Sequence, residues 1–89
     1  MVLNLMNGNE VRSILLKNLL LDEVYVSFCE NNCQIIAIGH IFYNMNELER
    51  HKIIYAPLMQ HILNNDIHSV SIQAFNPEEW NKKHISCNI

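Results

Sequence analysis

Eighty-nine residues suffice for one domain with a modest core, which excludes a two-domain enzyme. The composition, 49% apolar and 17% charged with two Gly and two Pro, is that of a globular chain rather than a disordered or fibrous one. A formal charge of −3 gives no overall attraction to phosphate, so nucleic-acid binding would need a local basic patch.

The first helix is predicted over Asn9–Leu20, with Asn9 as N-cap, Glu10 in the first turn, and Val11, Ile14, Leu15 and Leu19 on one face. Val24, Val26 and Phe28 then alternate with Tyr25, Ser27 and Cys29, the period of a half-buried strand. Glu30, Asn31 and Asn32 read as a polar turn, and the isoleucine-rich run from Gln34 to His40 completes a hairpin. A second helix begins after Asn46, with Leu48, Tyr55, Met59 and Ile62 on one face and Ile54 and Leu58 beside it. Pro57 lacks a backbone donor and is expected to kink or divide this helix. After Asn64, Asn65 and Asp66, the segment His68–Phe75 reads as a third strand, with Val70, Ile72 and Ala74 facing inward. Asn76, Pro77, Glu78 and Glu79 start a short helix carrying Trp80, and the chain after Lys83 is expected to be loose.

The order αββα(α)β predicts an α+β domain, a three-stranded sheet with both main helices packed on one face. The outer face would carry Tyr25, Ser27, Ser69, Ser71 and Gln73. Class II KH domains share this αββααβ order, but their Gly-x-x-Gly backbone clamp is missing, which removes the main support for KH-type RNA binding. No apolar run approaches the roughly 20 residues of a membrane helix, so no membrane association is expected. Met1–Met6 has no charged start and is too short for a secretory signal. With three cysteines, Cys29, Cys33 and Cys87, a cytoplasmic, thiol-reduced chain is expected.

No nucleophile with a neighbouring base is evident, and with only Gly8 and Gly39 no phosphate-cradling loop can form, so no enzymatic activity is expected. Soft-ligand chemistry remains. Cys29 and Cys33 flank the hairpin turn, with both sulfurs expected at solvent as ligands for an iron–sulfur cluster or zinc. They read equally as two small apolar residues bounding a turn. His68 starts the third strand, either as a ligand or as a satisfied strand-end residue. Arg50, His51 and Lys52 form a basic cluster that is otherwise a solvated helix face. Spacing does not decide whether the Cys29–Cys33 loop and the start of the third strand share one end of the sheet.

Three strings, Glu49-Arg50-His51-Lys52-Ile53-Ile54-Tyr55, Ile67-His68-Ser69-Val70-Ser71-Ile72-Gln73 and Asn76-Pro77-Glu78-Glu79-Trp80, resemble the BolA family, in particular its short, acid-stress-related bacterial branch. The resemblance assigns residues 9–84 to a BolA-like domain, between an N-terminal extension (1–8) and a C-terminal tail (85–89). It implies a class II KH-like αββααβ fold and a non-enzymatic partner of monothiol glutaredoxins. The two proteins would share a bridging [2Fe–2S] cluster, with glutathione from the partner side, for iron–sulfur trafficking or iron sensing. His68 would be one ligand, and a second would come from the loop between the first two strands. Histidine in place of a thiolate raises a cluster's potential. Alone, the chain would hold no cluster and be a monomer or weak homodimer.

Aligned on Gln34-Ile35-Ile36, the usual loop histidine of that branch is Asn32 here, so the role would pass to Cys33 or Cys29. The family's Phe-x-Gly-x-Ser reads Phe42-Tyr43-Asn44-Met45-Asn46. Asn tolerates positive φ and caps a helix as well as Ser, so the same backbone is expected. The resemblance also implies an alternative, a DNA-binding transcriptional regulator of the stress or acid response that uses Arg50, His51 and Lys52. Their two permanent charges would give weak, salt-sensitive binding.

Overall fold

The computed structural model describes residues 7–29, 32–64, 67 and 69–87, with the backbone only at Cys29 and residues 84–87. Helix α1 spans Gly8–Asn18. Its cap is Asn7 rather than the expected Asn9. The Asn7 side-chain oxygen accepts from the Glu10 N–H at 2.9 Å, and the Glu10 carboxylate accepts from the Asn7 N–H at 3.2 Å. Of the two, Asn7 has a glutamate three residues on, which is the spacing of this reciprocal cap, whereas Asn9 has Arg12 there. A Cβ at Gly8 would stand 3.2 Å from the Val26 carbonyl oxygen, so glycine allows α1 to start close against the first strand. Arg12 Nε reinforces that contact by donating to the Val24 carbonyl at 3.1 Å.

Strand β1 is Glu23–Cys29 and β2 is Asn32–Ile38. The second strand starts two residues before the predicted Gln34, which makes Asn32 a strand residue. It ends before His40, which opens a 3-10 turn, His40–Phe42. Asp22 holds that turn, accepting from the His40 N–H at 3.0 Å, with the His40 ring nitrogen Nδ1 at 2.8 Å. Asn44 then adopts φ 66°, as expected for the residue standing where the related motif has glycine.

Asn46 caps helix α2, Glu47–Leu63, through reciprocal bonds with Glu49 of 2.8 and 3.0 Å. Pro57 lies inside this helix without dividing it; the additional helical element is the 3-10 turn before α2. Ile54 and Leu58, both fully buried, pin the turns on either side of Pro57 to the core, so packing outweighs the lost hydrogen bond. Strand β3, Ser69–Phe75, follows, and Asn76 caps α3, Pro77–Cys87, again reciprocally with Glu79. This helix outlasts the predicted short one and continues past Lys83, whose ammonium lies 5.6 Å from the Phe75 ring centre.

The sheet order is β1-β2-β3, with β1 antiparallel and β3 parallel to β2. Helices α1 and α2 cover one face, enclosing a core that includes Leu15, Ile35, Phe42, Ile54 and Leu58. Tyr25, Ser27, Ser69, Ser71 and Gln73 are exposed on the opposite parity, as predicted. Trp80 of α3 packs on Tyr25 and Phe75, with ring centres 6.0 and 5.4 Å apart, and so covers one end of that outer face. The result is an α+β fold, a three-stranded mixed sheet with three helices. Among the described residues, no helix is long and apolar enough to cross a membrane.

Candidate functional site

The parallel register settles what spacing left open. Asn32 pairs with Cys29 across the hairpin and with Ser69 across the β2–β3 ladder. The last residue of β1 and the first residues of β2 and β3 therefore lie side by side at one end of the sheet. Ser69 Oγ donates to Asn32 Oδ1 at 2.8 Å, joining the two strand starts through side chains as well. His68 and residues 30–31 lie outside the described residues. His68 precedes Ser69 by one peptide bond and follows Ile67, which is 2% exposed within the core.

Of the two thiols expected at solvent, Cys33 is not there. It is fully buried, on the same parity as Ile35 and Ala37, and its row across the sheet is Phe28, Cys33 and Val70. Burial pushes its thiol pKa up, which favours the protonated form that does not bind metal. The signal was present in the i, i+2, i+4 pattern of Cys33, Ile35 and Ala37, but the strand start placed at Gln34 left Cys33 in the turn. Cys29 closes β1. Among the described residues, no three His, Cys, Asp or Glu side chains converge as a metal site. Asn32 stands between Cys29 and the first residue of β3.

The basic cluster on α2 is split by the fold. The Arg50 side chain is 12% exposed and faces inward. It donates to the Met45 and Ala74 carbonyls, each at 3.0 Å, and to the Glu79 carboxylate at 2.7 Å. Its guanidinium carbon also lies 5.8 Å from the Phe42 ring centre. Hydrogen bonding from Arg50, then from the Asn76 backbone, holds the Glu79 carboxyl below the usual range. Arg50 is therefore a fastener between α2, β3 and α3, and its charge is balanced within the chain. His51 is half-buried and lines a cleft of about 480 Å³ with Glu47, Arg50 and Phe75, whereas Lys52 is exposed beside Tyr55 and Met59. Sequence reasoning missed both this role of Arg50 and the Ser69–Asn32 bond, because the partners lie 24 to 37 residues apart.

Residues 26–79 match the family described as BolA-like protein. The chain is 43% identical over 75 residues to the acid stress protein IbaG of Escherichia coli strain K12, covering 84% of this chain and 89% of that protein. It is 33% identical over 51 residues to the DNA-binding transcriptional regulator BolA of Haemophilus influenzae, covering 57% of this chain and 48% of that protein. Among solved structures, the BolA domain of SufE1 from Arabidopsis thaliana matches with a TM-score of 0.71 at 26% identity, over 81% of this chain and 93% of that domain. The family match spans the hairpin from Val26 onward, the α2 cap, the start of β3 and the Asn76–Glu79 cap, the same features that position the sheet-end residues, and with them the chain belongs to the BolA-like family.

Proposed function

We propose that the chain is a non-enzymatic adaptor that pairs with a monothiol glutaredoxin and shares a bridging [2Fe–2S] cluster with it, for cluster trafficking or iron sensing. The observation that carries this reading is the parallel β2–β3 register. It sets Asn32, the hairpin residue paired with Cys29, beside Ser69, the residue next to His68. In this reading His68 contributes a neutral ring nitrogen, and Cys29 is the loop donor because Cys33 is buried. The partner and its glutathione supply the remaining thiolates. The cluster itself supplies one-electron chemistry or transferable iron and sulfide. Mixing the chain with a monothiol glutaredoxin, glutathione, iron and sulfide is expected to give visible absorption and circular dichroism bands distinct from those of the glutaredoxin alone. His68→Ala is expected to abolish that difference and Cys29→Ser to alter it. If both variants reproduce the wild-type spectrum, the ligand assignment is wrong.

A second reading, regulation by DNA binding, is favoured by the name of the Haemophilus relative. In it, Lys52 and His51 would make the contact, because Arg50 is paired with Glu79. Specific retention of a promoter-length duplex at physiological salt, lost in Lys52→Ala, would support it; equal retention of unrelated duplexes would remove it.

A further inference from the structure

We propose that the Ser69–Asn32 hydrogen bond is a clasp that positions the proposed docking site before any partner arrives, so that Ser69 and Asn32 act as one unit in complex formation. The inference rests on the functional reading above and adds two positioning residues to it. The start of β3 is fixed from both directions: Ile67 is anchored in the core, and Ser69 is tied across the ladder to Asn32. Asn32 in turn pairs with Cys29, the last residue of β1. The clasp therefore links the two segments that flank the site, the hairpin end and the start of β3. It sits at the end of both ladders, where strand pairs fray most readily and the backbone alone holds the separation least well.

Ser69 is exposed and its side chain faces away from the core, so its hydroxyl has no packing role to explain it. A side-chain bond at the open end of a sheet adds little to global stability, but it narrows the range of separations between the flanking segments. A partner that must engage both segments at once then has less ordering to do on binding.

The test is a double-mutant cycle on the complex of the full chain with a monothiol glutaredoxin carrying its cluster, read by circular dichroism titration. Ser69→Ala and Asn32→Ala are each expected to weaken complex formation about three- to tenfold, the range of one net hydrogen bond. The double variant is expected to lose no more than either single variant, because both changes break the same bond. Ser69→Thr, which keeps the donor, is expected to restore wild-type affinity. Melting of the isolated variants is expected to stay close to wild type, which separates positioning from a folding defect. In the free chain, the Asn32 side-chain amide resonances are expected to change position in Ser69→Ala, because the Asn32 Oδ1 loses its donor. Unchanged affinity in the single variants, or additive losses in the double variant, would overturn the clasp while leaving the shared-cluster reading in place. Failure of the wild type to form a mixed cluster would overturn that reading itself, and the positioning role with it.

Discussion

At the scale of single residues, Cys33 and Asn44 show how a side chain is chosen by its surroundings. The Cys33 sulfur is enclosed by apolar neighbours. Cys33→Ser would bury a hydroxyl there and is expected to cost about 1–3 kcal/mol in urea unfolding, more than Cys33→Ala would. Alkylation of the folded chain should leave this thiol unmodified until denaturant is added, because it is both inaccessible and protonated. Asn44 sits at φ 66°, a conformation that costs most residues about 1–2 kcal/mol. Asn44→Gly should therefore preserve the melting temperature, while Asn44→Val should lower it. This position was legible through the resemblance, which sets Asn44 where the related motif has glycine; the backbone at that one residue decides which side chains are tolerated. The burial of Cys33 was less so, since it depended on placing a strand start correctly by two residues.

At the scale of elements, the three helices share one device, an asparagine cap answered by a glutamate three residues later. The last of these glutamates has a second task, since Glu79 also receives Arg50 and thereby joins the start of α3 to the first turns of α2. Arg50→Ala is expected to destabilise the fold by about 1–3 kcal/mol, because the Met45 and Ala74 carbonyls lose their donor. The Glu79 carboxyl titrates lower in the folded chain than in the unfolded one, with Arg50 as the main cause. Its contribution is therefore present above the ordinary glutamate range and is lost as pH falls through that range towards the lower folded value. Melting curves of wild type and Glu79→Gln should accordingly differ near neutrality and converge in acid. Element identity and order were readable from periodicity and caps, including the Asn46 and Asn76 starts. Three things were not: the continuity of α2 through Pro57, the length of α3, and the inward turn of Arg50. The first and the last are decided by contacts between segments distant in the chain, which no local pattern records.

At the scale of the whole molecule, the sheet order determines what can meet. A formal charge of −3, with Arg50 paired internally, leaves little positive field for a polyanion. The proposed shared site would need only a few donors at one end of the sheet. That end exists because β2 is both a hairpin partner and the parallel neighbour of a strand that returns after α2. The two pairings make very different demands on a folding chain. The hairpin closes over two residues, whereas β3 must wait for a loop of some thirty residues to be traversed by its connecting helix. Pulse-labelled amide exchange should therefore find β1 and β2 protected before β3. The junction between them would form only after the connecting helix has brought β3 back to the hairpin, which makes it a checkpoint: a partner that recognises both segments together would engage only chains whose sheet is complete.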